Sequence, residues 1–172
     1  YEDLPHSGNY SRRLSFRQSL QASIGSPLGT LVAAGADLPF AWIPRPKLSV
    51  EALDEPFDDR FDRLWERVKR DYTAITLRDA ATLNWRYRAH PDTRYSALVI
   101  PDGDEVRGYL VFSIYRHGPR LRAGIVDLLA RPDDKRAIDD LLAAALRAAR
   151  KEGADRMGCF VTGTDIEGAV RR

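Results

Sequence analysis

Apolar residues recur along this chain at two spacings, and the switches between them lay out its elements. Leu48, Val50 and Ala52 alternate with polar residues, the period of a short strand. Phe57, Phe61, Leu64, Trp65, Val68 and Tyr72 then return at helical spacing, with Asp58 and Asp59 in the first turn, where the helix dipole favours acids. A second helix is expected from near Asp79 through Leu83, Trp85, Arg86 and Tyr87 until Pro91 stops it. Residues 95–100 and 106–115 are strand-like about the turn pair Asp102 and Gly103. Another turn at His117, Gly118 and Pro119 leads into a third strand over residues 121–130. After Pro132 the helical period returns in Ile138, Leu141, Leu142, Ala145, Leu146 and Ala149. Asp133 is the expected N-cap, and Arg147, Arg150 and Lys151 complement the negative end before Gly153 stops the helix. Residues 156–162 read as a further strand, and residues 164–172 as the beginning of another helix.

Residues 1–46 differ from the rest. They are polar and punctuated by Gly, Ser and Pro, with Arg12, Arg13 and Arg17 near a weak helical pattern of Leu14, Ala22 and Ile24, and then Pro39, Pro44 and Pro46. This segment reads as a linker or the tail of a preceding domain, with an arm packed on the main domain as the alternative. Residues 47–172 read as one domain, incomplete at its C-terminal end. The sequence contains no internal repeat.

Composition narrows the classes. In 172 residues, 44% are hydrophobic and 30% charged, enough to bury a core. Lys and Arg number 27 against 25 Asp and Glu, a formal net charge of +2, which offers no broad footprint for nucleic acid. No apolar run approaches the ~20 residues of a membrane helix. The single cysteine, Cys159, suits a reducing, cytoplasmic setting and reads as a small buried residue. His6, His90 and His117 lie far apart, so no metal site is expected. Asp127 is the informative charge: it interrupts the apolar run Ile125, Val126, Leu128 and Leu129, where a carboxylate must be paired or face a crevice. An ion pair to a nearby arginine is the favoured reading and a catalytic role the other. Trp85, Arg86 and Tyr87 could line a groove for planar or sugar-like groups; the competing reading packs Trp85 in the core and pairs Arg86 with an acid such as Asp79.

The order strand, two helices, three strands, helix, strand resembles the GNAT family of acyl-coenzyme A transferases, over about residues 47–172. Arg78, Asp79, Ala80, Leu83, Asn84, Trp85, Arg86, Tyr87, Pro91, Tyr95, Gly108, Tyr109, Asp127 and Leu128 carry a closer likeness to GNAT-type domains of bacterial tandem proteins, some linked to surface-polysaccharide synthesis. The resemblance implies an α+β fold, a mixed, mostly antiparallel sheet flanked by helices. It implies transfer of an acetyl or acyl group from acetyl-coenzyme A or another acyl-coenzyme A to a small-molecule amine acceptor, such as an amino sugar or cell-envelope precursor. No metal is implied. Leu128, Leu129 and Ala130 would hold the pantetheine arm. The helix start at Asp133, Asp134, Lys135, Arg136, Ala137 and Ile138 would face the pyrophosphate, where unpaired backbone N–H groups favour an anion. Asp127 would assist proton removal, and Trp85, Arg86 and Tyr87 would contact the acceptor. A preceding domain or a second copy is the implied protein partner; no nucleic acid and no membrane is implied.

The residues also depart from the family pattern. The stretch from Arg131 to Ile138 has no glycine, whereas the family's pyrophosphate loop commonly does, and residues 164–172 hold no match for its usual acidic tyrosine. A catalytically silent GNAT-like module for domain assembly or ligand sensing is therefore the alternative. Aminoacyl transfer from tRNA ranks last, given the near-neutral charge.

Overall fold

The structure is a computed structural model that describes residues 43–72 and 75–159, the last without its side chain. The expectations for residues 1–42, for residues 160–172 and for burial of the Cys159 side chain lie outside the described residues. Five strands form one sheet in chain order: β1 (Glu51–Leu53), β2 (Tyr95–Asp102), β3 (Glu105–His117), β4 (Arg120–Ala130) and β5 (Arg156–Cys159). The pairs from β1 to β4 are antiparallel, and β4 pairs β5 in parallel. Two tight turns join the central strands, with Gly103 at φ 60° and Gly118 at φ 62°, conformations that cost glycine nothing. This is the mixed, mostly antiparallel sheet that the resemblance implied.

Helices cover both faces. α1 (Asp59–Val68) and α2 (Ala80–Tyr87) pack on one, and α3 (Lys135–Lys151) on the other. The Asp58 carboxylate caps α1 by accepting from the Arg60 N–H. Phe61, Leu64, Trp65 and Val68 turn inward, and a short 3-10 turn, Lys69–Asp71, replaces the last helical turn that Tyr72 had suggested. Asp79 caps α2 by accepting from the Thr82 N–H. That helix ends at Tyr87, well before Pro91. α3 starts one residue later than expected: Asp134, not Asp133, is the N-cap. Its end is a Schellman arrangement in which Gly153, at φ 85°, donates to the Arg150 carbonyl, and Ala154 donates to that of Ala149. β1 is shorter than the alternation of Leu48, Val50 and Ala52 predicted, and Ala52 is exposed. Leu48 and Val50 pack against the α3-side core instead, where the Leu48 N–H donates to the buried Asp140 carboxylate at 2.9 Å.

Two register breaks decide which side chains face which helix. Ile100 pairs Gly108 while Pro101 pairs Val106, which leaves Arg107 as an extra residue in β3. Val111 pairs Asp127 while Phe112 pairs Ile125, which leaves Val126 extra in β4. Ala123 and Ile125 accordingly point toward α3, whereas Asp127 and Leu129, at the same parity, point toward α1 and α2. No helix among the described residues is long and apolar enough to cross a membrane.

Gly108 lies tight against β4. A Cβ built there would lie 2.9 Å from the Ala130 Cβ and 3.0 Å from the Leu129 carbonyl oxygen. Gly108→Ala is expected to destabilise the fold by about 1–3 kcal/mol through forced separation of β3 and β4, read as a lower urea midpoint with an unchanged slope.

Candidate functional site

The bulge at Val126 delivers Asp127 into the one buried polar cluster on the α1–α2 face among the described residues. The residue is 6% exposed. Arg78, in the segment before α2, donates from Nε to Asp127 Oδ1 at 2.8 Å, and the Leu128 N–H donates to the same oxygen at 2.9 Å. The hydroxyls of Tyr109 on β3 and Tyr87 on α2 donate to Oδ2 at 3.1 and 3.2 Å. A carboxylate has about four acceptor positions, and here all are filled. Arg78 is itself held by donating Nη1 to the Thr76 carbonyl and hydroxyl oxygens.

The charges act on one another. Burial works against the Arg78 cation, but the Asp127 charge and its hydrogen bond override it and hold the guanidinium above its ordinary pKa. Burial pushes the Tyr109 phenol well up, and the neighbouring Asp127 charge adds to the shift. The Tyr87 phenol is raised for the same two reasons in the same order. Both phenols remain hydrogen-bond donors throughout the neutral range.

Tyr87 is thus the member of the Trp85, Arg86 and Tyr87 group that reaches Asp127. Trp85 points away and is 72% exposed, so the expectation that it packs in the core is overturned: Leu83 takes the buried position on α2. The expected Arg86–Asp79 pair does not form because the Asp79 carboxylate caps the helix, and Arg86 lies beside the Tyr87 hydroxyl instead. At the end of β4, Leu128 is partly buried while Leu129 and Ala130 are fully buried. The Leu128 N–H is engaged by Asp127, and the Tyr72 hydroxyl donates to the Ala130 carbonyl at 2.7 Å.

The start of α3 is equally occupied. Asp134 Oδ1 accepts from the Ala137 N–H at 3.1 Å, and Arg107, set forward by its bulge, grips the same carboxylate at 2.6 and 3.0 Å. The Arg107 hydrogen bond, ahead of the cap itself, holds Asp134 below the usual carboxylate pKa. Asp133 is exposed and paired with Arg131, at 3.1 Å. Lys135 and Arg136 are exposed, and Ala137 and Ile138 are buried. The Ala137 N–H and the Arg107 and Arg131 cations, which a coenzyme A pyrophosphate would use, are already held by the chain's own carboxylates. At the Ala137 N–H and the Arg107 fork, the Asp134 carboxylate takes the position that a pyrophosphate oxygen would need, so those residues do not fit that group. No cluster of three or more metal-ligating side chains occurs among the described residues.

Of these partners, the sequence named Asp127, Tyr87, Leu128, Ala130, Asp134 and Ala137 as site residues. It missed Tyr109, Arg107 and Tyr72 in that role. The need for a counter-charge to Asp127 was the signal that pointed to an arginine.

Two outcomes follow from the buried cluster. Arg78→Ala strands a buried carboxylate and is expected to cost about 3–5 kcal/mol in denaturant unfolding, with partial recovery when Asp127→Asn is added. The raised phenol pKa values mean that Tyr87 and Tyr109 contribute stability below the unfolded value near 10, which is lost as pH rises toward the folded values. Absorbance of tyrosinate should show the Tyr87 and Tyr109 phenols ionising only with alkaline unfolding, and Tyr87→Phe with Tyr109→Phe should remove that part of the signal.

No protein-family model and no curated protein matches the chain. Solved structures do resemble it. A transcriptional regulator from Bacillus halodurans C-125 is 11% identical, with 71% of this chain and 88% of that one covered at a TM-score of 0.51. An aminoglycoside acetyltransferase from an uncultured soil metagenomic sample, in complex with trehalose, is 16% identical, with coverages of 71% and 82% and a TM-score of 0.49. A ribosomal-protein-alanine N-acetyltransferase from Brucella melitensis biovar Abortus 2308 is 12% identical, with coverages of 72% and 89% and a TM-score of 0.47. Identities this low speak of fold alone: the strand order, the parallel β4–β5 pair and the helices on both faces make the described residues an α+β domain, and the Bacillus halodurans structure shares that fold over 71% of this chain.

Proposed function

We propose that this GNAT-like domain serves domain assembly or ligand sensing rather than acyl transfer. The observation that supports this is the state of Asp127. With both oxygens filled by Arg78, Leu128, Tyr87 and Tyr109, it has no acceptor position left for the proton of an attacking amine. As a structural ion pair, it ties the segment before α2, the end of α2, and β3 to β4. In this reading residues 1–46 are a linker or the tail of a preceding domain, and the segment from residue 43 is the seam, anchored on α3 through Leu48 and Asp140. The setting is cytoplasmic.

A second reading is favoured by topology. The sheet changes from antiparallel to parallel at β4–β5, and α3 starts beyond the carboxyl end of β4, the kind of place where α/β proteins bind ligands. In that reading the domain is an N-acyltransferase that moves an acetyl or acyl group from acyl-coenzyme A to an amine acceptor, such as an amino sugar or cell-envelope precursor. Leu128, Leu129 and Ala130 then lie along the pantetheine arm, and Lys135 and Arg136 face the pyrophosphate. Asp127 assists the proton, and the exposed Trp85 meets the acceptor with Arg86 and Tyr87.

Calorimetric titration of acetyl-coenzyme A and free coenzyme A into the complete natural protein separates the two. The expected outcome is no saturable binding to folded protein. Micromolar binding abolished by Lys135→Ala with Arg136→Ala would transfer the assignment to the acyltransferase.

A further inference from the structure

A helix start carries unpaired N–H groups and about half a positive charge, and something negative usually answers it. At α3 the answer comes from the chain. Asp134 reaches the Ala137 N–H at 3.1 Å and is clamped by Arg107 through two hydrogen bonds, the geometry in which a guanidinium grips a phosphate equally well. The surroundings repeat the theme: Arg131 is engaged by Asp133 at 3.1 Å and approaches Asp71 at 3.8 Å, while Lys135 and Arg136 stand exposed nearby. Four cations thus belong to the segments at this helix start, and two of them are neutralised by neighbouring aspartates.

We infer that Asp134, held by Arg107, stands in the place of a bound diphosphate at the start of α3 and excludes coenzyme A and related diphosphates from this domain. Three features support it. A carboxylate accepts from the third N–H of the helix, a position that an incoming phosphate oxygen would need. The Asp134 side chain is largely buried at this helix start, and a glycine there would have no side chain to set against a ligand. The Arg107 fork is directed at Asp134 by a bulge in β3, so the arginine is held by the sheet and needs no movement to serve either anion. Asp134 is therefore the residue that sets ligand specificity at this crevice, by occupying it. This rests on the reading of the domain as silent toward acyl-coenzyme A and names the device responsible.

The test is to vacate the position. Glycine is nearly as good an N-cap as aspartate, so Asp134→Gly is expected to fold, which circular dichroism and a melting curve check; Asp134→Ser keeps a neutral cap if glycine does not. Coenzyme A and inorganic pyrophosphate are titrated by calorimetry into the complete natural protein and its variants at low salt. Wild type is expected to bind neither saturably, and the folded Asp134 variant is expected to bind both at least about tenfold more tightly, with affinity falling as salt rises. Adding Arg107→Gln should remove the gain. Asp133→Asn, which changes net charge equally but leaves the cap in place, should give none. The inference is overturned if the folded variant binds no better than wild type, or if Asp133→Asn gains as much. Should wild type itself bind coenzyme A, the silent reading and the exclusion both fall; should wild type bind none and the folded Asp134 variant bind none either, the silent reading stands and the assignment of Asp134 alone falls.

Discussion

The described fold turns on a buried carboxylate that must be compensated. Asp127 lies buried toward the carboxyl end of β4, where an unpaired charge would cost several kcal/mol. Its compensation comes from three separate stretches of chain: Arg78 before α2, Tyr87 within α2, and Tyr109 on β3. Each partner gives up hydration to reach it, so the cluster is stable only when all are in place. The same requirement fixes where α2 sits on the sheet. Only one side chain of that helix, Leu83, is fully buried, so much of its docking depends on polar contacts: Tyr87 to Asp127, Ala80 N–H to Asp62, and the Asn84 amide to both backbone groups of Phe57.

The two faces of the sheet manage charge differently. On the α1–α2 side the cluster is enclosed by aromatic rings, with Phe57 packed edge-on against both Phe61 and Tyr109. At the start of α3 the charges lie near solvent and in pairs, Arg107 with Asp134 and Arg131 with Asp133. The first arrangement holds elements together. The second satisfies a helix end without a ligand. Both use aspartate, and both leave its oxygens engaged within the chain.

Local structure was largely legible in the sequence because it depends on period and punctuation. The apolar stripe of α3, the turns at Gly103 and Gly118, and the stop at Gly153 all follow from residue spacing and from glycine's access to positive φ. The need for a partner to Asp127 was legible for a similar reason, since a lone acid in an apolar strand states its own problem. Less was readable at α2. Trp85 and Leu83 both match a helical stripe, and only the position of the sheet shows that Leu83 turns inward while Trp85 remains in water.

What the sequence determined by itself was the order of strands and helices, the mixed α+β class and the places where each helix could begin and end. The tertiary structure decided which face each side chain occupies. Strand periodicity has a period of two, so a single extra residue reverses every position that follows it. The bulges at Val126 and Arg107 each supply one. They leave no mark in the apolar pattern, yet they send Asp127 to the α1–α2 face and aim Arg107 at Asp134, because bulges arise from how neighbouring strands pair and not from either strand alone.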